Sequence, residues 1–459
     1  MSYSPHLRTA VLLSGSGTGG AYHAGVLRAL HEAGIKIDVM SGRGTGTVGA
    51  LFAAIDAAPR TWEDGGVWRR NPAVRLYRWR APLRWAAALV ALAVATLLVP
   101  LVVLATGLVA YPLSFLVQMV SVDAGHRLVT AYAATIAWAF GPTVLPTVVP
   151  RMVTLLLAAA CVALAVSPLA TRGRARRQHA LEGHRDLGRW WARLVGTPWT
   201  CEPGLHHFQQ SLWEVFRGPT SVRQPHAPEL SRQYVEVLLE NIGQPGFREL
   251  ILTTLDLETR ADLIFAALSG QRRQAFFHRD VAHRGDLIDL AGVGRNQVLD
   301  ALSGSLRLPV LTEPHAIVFS PESYWKGETH RTCDRPSAIG RLFHELAAAG
   351  VKQVVVVSAN ADRSAPHRLG RPPGTLESRL TEQLSATEAS AVRDAVVAHG
   401  ARFHGVFVIQ PSHNPVGPFD FSGAYDERSD RYQSLNELID RGYEDAYKQF
   451  IEPVVGGTE

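Results

Sequence analysis

The sequence predicts an α/β fold with a largely parallel sheet, interrupted by an apolar helical insertion that crosses a membrane. Three observations predict it. A β-loop-α-β-loop-α pattern with two glycine clusters opens the chain, a long stretch nearly free of charge follows, and strand and helix patterns resume after it. At 459 residues and 47% hydrophobic content, the chain is long enough for one large core or two ordinary domains.

The N-terminal unit is read element by element. Residues 8–14 form a short apolar run ending in glycines, and residues 22–33 show helical spacing through Ala24, Val26, Leu27 and Leu30. Gly34 closes that helix, Ile35 to Met40 reads as a second strand, and Val48 to Ala58 as a second helix. A unit this small does not readily close its own core, so residues 1–80 are expected to pack with residues 172–459 as one domain. Within the later part, Glu249–Leu255, Ile264–Leu268, Ala316–Phe319, Gln353–Ser358 and Gly405–Gln410 read as strands. Ser337–Ala349 and an amphipathic Ser434–Ile451 read as helices, and Gly370–Gly374 as a flexible loop.

Residues 81–171 form the insertion. No charged side chain occurs from Trp85 to Val122, longer than the ~20 residues that cross a bilayer core. Met152–Ala170 is a second such run, and two spans near 83–110 and 150–170 are expected. Residues 111–149 are then a short external or interfacial excursion, with four crossings as the alternative. Arg69, Arg70, Arg75, Arg78, Arg80 and Arg84 precede the insertion, and Arg172, Arg174, Arg176, Arg177, Arg185, Arg189 and Arg193 follow it. Between them stand only Arg127 and Arg151, so the positive-inside rule puts both flanks in the cytoplasm. An integral, multi-pass protein with a cytoplasmic soluble domain is expected.

Net charge is +5, but the basic residues crowd against the apolar stretch, which points to a membrane surface and away from nucleic acid. Cys161, Cys201 and Cys333 lack metal spacing and are too few for a disulfide framework. His206, His207, His278, His283 and His315 match no compact zinc pattern, so neither metal nor cofactor is expected.

A serine acyl hydrolase sets its nucleophile on a strained strand-to-helix turn, and a second glycine-rich loop offers backbone N–H groups to the developing oxyanion. Both loops are present in that order. Gly15, Ser16, Gly17, Thr18, Gly19 and Gly20 lead into the first helix. Gly42, Arg43, Gly44, Thr45 and Gly46 follow the second strand. These stretches resemble the oxyanion motif and the G-x-S-x-G elbow of the patatin-like phospholipase family. Leu252–Thr259 resembles that family's middle strand and Ala301–Pro309 the segment before its catalytic aspartate. The resemblance implies a three-layer α/β/α fold, a Ser-Asp dyad and membrane lipid as the ligand.

The departures from that pattern matter for chemistry. Gly44 stands at the serine position, and the family's aspartate motif aligns best with Lys326-Gly327-Glu328, which puts Lys326 at the aspartate position. Loss of an activated serine costs about a million-fold in turnover. A weak or inactive hydrolase with a lipid-binding or regulatory role is therefore expected. Ser16, Thr45 and Asp334 are candidate substitutes for a relocated dyad in an active lipid acyl hydrolase, with Ser41 and Glu328 nearby in sequence. Both loops also fit G-x-G-x-x-G, so a dinucleotide-binding protein using Asp38 is a further alternative.

Overall fold

The computed structural model describes residues 3–70, 76–175, 196–218, 222–279, 284–362, 376–411 and 434–456. The chain falls into two compact units, Met1–Arg78 with Trp199–Glu459, and Trp79–Pro198.

The first unit is built on a sheet of nine strands among the described residues: β1 (Thr9–Gly15), β2 (Val39–Gly44), β3 (Glu249–Asp256), β4 (Asp262–Ala267), β5 (Leu287–Asp289), β6 (His315–Val318), β7 (Thr329–Cys333), β8 (Gln353–Ser358) and β9 (Gly405–Ile409). The order is β9-β8-β1-β2-β3-β4-β5, with β7 pairing β3 and β6 pairing β7. From β9 to β3 every neighbour is parallel, whereas β4 and β7 run antiparallel to β3. Parallel strands are buried on both faces, which explains the unbroken apolar runs of β1 and β8. Val11 and Leu13 enter one core, and Ala10 and Leu12 the other.

Helices cover both faces. On the first face lie α1 (Gly19–Glu32) and α2 (Gly46–Ala54). The helices α3 (Ala81–Ala105), α4 (Gly107–Gln118), α5 (Val122–Ala139) and α6 (Val149–Ala175) belong to the other unit, and α7 (Glu202–Arg217), α8 (Ala227–Asn241) and α9 (Gly270–His278) follow them. Then come α10 (Val298–Ser305), α11 (Ala338–Ala348), α12 (Leu376–His399) and α13 (Leu435–Ala446). Leu27, Leu51, Leu212, Leu238, Leu302 and Leu438 pack with Val11 and Leu13, whereas Leu342, Leu346 and Val392 pack with Leu12 and Val356. The result is a three-layer α/β/α arrangement with a mostly parallel sheet.

Several boundaries differ from the sequence reading, three of them at the elbow and the last helix. The second strand is Val39–Gly44, because Leu13 pairs with Gly42 and Gly15 with Gly44, so the elbow glycines continue the ladder. Its helix accordingly begins at Gly46 and ends at Ala54. The last helix carries a Ser434–Glu437 capping box, runs to Ala446, and continues as a π-helical segment to Val455. Gly370–Gly374, Arg75, Arg176, Arg177, Arg185, Arg189 and Arg193 lie outside the described residues.

The second unit is a helical hairpin. Thr106 keeps helical dihedrals (φ −60°, ψ −19°), so α3 and α4 join into one rod, Ala81–Gln118, of 38 residues. The returning rod, Val122–Ala165, has 44 residues and includes a π-helical turn at Val144–Val148. The two pack with α3 along α6 and α4 along α5, and the Tyr132 hydroxyl donates to the Leu104 carbonyl at 2.9 Å. Both rods are long and apolar enough to cross a membrane. Across residues 111–149, α4 and α5 carry the two rods onward as helix, since Pro112 is accommodated within α4 and Pro142 and Pro146 fall at the bend before α6.

Candidate active site

The two glycine loops meet at the C-terminal edge of β1 and β2. There the chain turns from Gly44 into α2 with Thr45 as the intervening cap residue. Gly44 sits at the apex with φ +56°, the left-handed conformation that a nucleophile elbow imposes. The flanking glycines are demanded by crowding. A Cβ on Gly42 would lie 2.7 Å from the Gly46 carbonyl, and one on Gly46 would lie 2.2 Å from the Leu13 carbonyl oxygen.

At the apex itself the space that a serine side chain would enter is already taken. A Cβ on Gly44 would lie 2.1 Å from the Gly15 carbonyl oxygen and 3.3 Å from Asp334 Oδ2. The same Gly15 oxygen accepts from the Thr45 backbone N–H at 2.9 Å and from the Thr45 hydroxyl at 3.2 Å. In an acyl hydrolase the N–H of the residue after the nucleophile is an oxyanion donor. Here that donor is satisfied by the first loop's own carbonyl.

Arg43 reorganises the remaining chemistry. Its side chain, fully buried, forms a charged pair with Asp334 through Nη2, and its Nε donates to Asp334 Oδ1 at 3.1 Å. The Arg43 Nη2 also donates to Glu388 Oε1 at 3.2 Å, and Nη1 donates to the Ser14 hydroxyl at 3.2 Å. Glu388, from α12, further accepts from the Ser16 hydroxyl and from the Asn360 amide. One guanidinium thus faces two buried carboxylates. Burial opposes the Arg43 charge, but Asp334 and Glu388 outweigh it and its pKa is raised. The Asp334 carboxyl is also raised, by burial first and by Glu388, against the pull of Arg43. Beneath the loop, His23 presents Nε2 to the Ser14 carbonyl at 3.2 Å, and burial brings its pKa down to about 4.

The aspartate position must be corrected. Lys326 lies on the exposed turn between β6 and β7 with φ +47°, whereas every elbow residue is buried. Asp334 follows the end of β7, which pairs antiparallel with β3, and this brings it to the Gly44 apex. The displacement is eight residues, because the Lys326-Gly327 turn imitates a glycine motif without lying at the end of a sheet strand. Glu328 is likewise exposed and meets His330 at 3.3 Å. Ser41 is buried with no hydrogen-bond partner for its hydroxyl, and Thr45 points to a carbonyl. The dinucleotide reading loses its acidic residue: Asp38 precedes β2 and accepts the Thr9 N–H at 2.9 Å, at the sheet edge opposite the glycine loops.

Sequence reasoning missed Glu388, Asn360 and the role of Arg43 as the centre of the cluster. For Arg43 a signal existed: a charged residue beside the apex of a buried elbow demands a buried counter-charge.

A parallel α/β sheet with a glycine elbow at a strand-to-helix turn, an oxyanion-type loop beside it and an aspartate at the apex defines an acyl-hydrolase-like site. Residues 11–137 match the family model Patatin-like phospholipase, and this match supports membership of the patatin-like phospholipase family. It is 40% identical over 63 residues to Patatin-like phospholipase domain-containing protein 6 of Mus musculus and of Homo sapiens, over 14% of this chain. The match spans 5% of the length of those relatives. Among solved structures, VipD from Legionella pneumophila aligns over 99% of this chain and 68% of its own with 11% identity and a TM-score of 0.32.

Proposed function

We propose that this protein is a membrane-held, catalytically silent patatin-like protein that binds membrane lipid in a regulatory role. The observation that carries the reading is the closed ion cluster at the elbow. Arg43 engages Asp334, the acid that would activate a serine, while the Gly15 carbonyl fills the space of the missing side chain. Both Asp334 oxygens are engaged by Arg43, so neither is free to accept a hydroxyl proton at the apex.

Membrane attachment is supported by exposure. Within the most apolar stretch of each rod only 11% of residues are buried, and Leu108 and Phe115 on the first rod stand open, as does Val120 in the turn after it. Apolar surface on that scale needs lipid or protein to cover it.

A second reading, an acyl hydrolase with Ser16 as nucleophile, is favoured by the Ser16–Glu388 hydrogen bond. Against it, Ser16 is buried and Arg43 shares the same Glu388 oxygen. The test is hydrolysis of phospholipid vesicles and of short-chain p-nitrophenyl esters, together with labelling by a fluorophosphonate. We expect neither turnover nor labelling, and Gly44→Ser restores neither, because its Cβ collides with the Gly15 carbonyl. Labelling of wild type that disappears in Ser16→Ala establishes the second reading and ends the first.

A further inference from the structure

A second concentration of polar groups lies away from the glycine loops. It lines a cavity of about 670 Å³ walled by the start of β4, α11 and the last residue of α12. Four of the lining side chains carry a buried polar atom that meets no partner: Asp262 Oδ1, Arg279 Nη1, Arg335 Nε and His399 Nδ1. Buried polar atoms are nearly always paired, and each one left alone is destabilising. Four around one cavity mark a place for a polar occupant.

The unmet groups describe that occupant. Arg279 and Arg335 are unmet donors in planar guanidiniums, suited to a phosphate or carboxylate. The N-terminal end of α11 also faces the cavity through Ser337 and Gly340, with no acidic residue in its first turn. Its first N–H groups are taken by the carbonyls of Arg335, Pro336 and Ser337, so the helix contributes partial positive charge and no hydrogen bonds. Asp262 supplies the opposite requirement. It is 5% exposed, gives Oδ2 to Arg335, and keeps Oδ1 for a donor. Arg341 and Arg279 both reach the wholly buried Glu345, which fixes the cavity floor.

We propose that this cavity binds a small phosphorylated polyol, with the phosphate on Arg279 and Arg335 and a hydroxyl donating to Asp262. This site does not depend on the state of the elbow. The ligand's source is either a soluble metabolite or the headgroup of a glycerol-bearing anionic lipid.

The full-length protein in detergent micelles is titrated calorimetrically with glycerol 3-phosphate, inorganic phosphate and glycerol. Glycerol 3-phosphate is expected to bind with Kd at or below about 1 mM, roughly tenfold tighter than inorganic phosphate, with glycerol silent. Arg335→Gln, which removes the guanidinium, and Asp262→Asn, which keeps the native shape, each weaken binding about tenfold. Should either variant unfold, the rise in wild-type Tm on adding glycerol 3-phosphate, and its absence with glycerol, tests the same claim. Vesicles of phosphatidylcholine with phosphatidylglycerol provide the second arm: competition assigns the ligand to a lipid headgroup, and its absence assigns it to a soluble metabolite. The proposal is overturned by no glycerol 3-phosphate binding at about 10 mM, by equal binding of inorganic phosphate, or by unchanged binding in both folded variants.

Discussion

At the scale of single residues, Arg43 and His23 set the conditions under which the loops stay closed. Removing Arg43 leaves Asp334 and Glu388 facing one another without a counter-charge. Arg43→Gln is therefore expected to cost about 3–5 kcal/mol in chemical denaturation. Glu388→Gln keeps an acceptor for Arg43 and Ser16, loses the one that takes the Asn360 amide, and leaves a balanced Arg43–Asp334 pair, so its loss should be smaller. Equal losses in the two variants would contradict the charge account. His23 predicts a pH dependence. Its folded pKa of about 4 lies below the ordinary 6.5, so the unfolded chain takes up the proton first. Its contribution is present above pH 6.5 and is lost as pH falls towards 4, amounting to about 3 kcal/mol. Denaturation midpoints measured between those limits should fall with acid, and His23→Gln should flatten that part of the profile.

At the scale of elements, α13 closes the domain by lying directly on α1. A Cβ on Gly25 would stand 1.8 Å from the Ile439 carbonyl oxygen, and one on Gly442 would stand 2.2 Å from the Tyr22 carbonyl oxygen. Two facing glycines let the backbones approach, and the Tyr22 hydroxyl then donates to Asp445 at 3.1 Å. Gly442→Ala forces the helices apart and is expected to cost about 1–3 kcal/mol, read as a fall in denaturation midpoint. The same change at Gly350, with nothing near its absent Cβ but φ +78°, tests backbone strain without packing. The elements that carry the site were legible in part. Strand β1, helix α1 and the elbow stand in the sequence because glycines must recur where backbones cross. Strand β2 was read four residues early, since Gly42 and Gly44 look like loop residues until their pairing with β1 is known. Helix α12, which supplies Glu388, went unread: its pattern is weakly amphipathic, and nothing local marks the one carboxylate that turns inward.

At the scale of the whole molecule, the rods of 38 and 44 residues extend for about 57 and 66 Å, well beyond a hydrocarbon core of about 30 Å. A hairpin that crosses twice would project its tip, α4 and α5, past one membrane face. In a Cys161→Ser background, cysteines at the exposed Glu63 and Val222 are expected to label from the same side of sealed vesicles. Labelling from opposite sides would reject an even number of crossings.

The sequence by itself determined the α/β class, the two glycine loops, the apolar insertion and the family resemblance. These are written in local periodicity, in glycines at backbone crossings and in runs without charge. Tertiary structure alone decided which acid faces the elbow, and that a helix more than 300 residues downstream of Arg43 supplies its second partner. A buried charge is recognisable in one dimension, but its counter-charge is selected by packing in three.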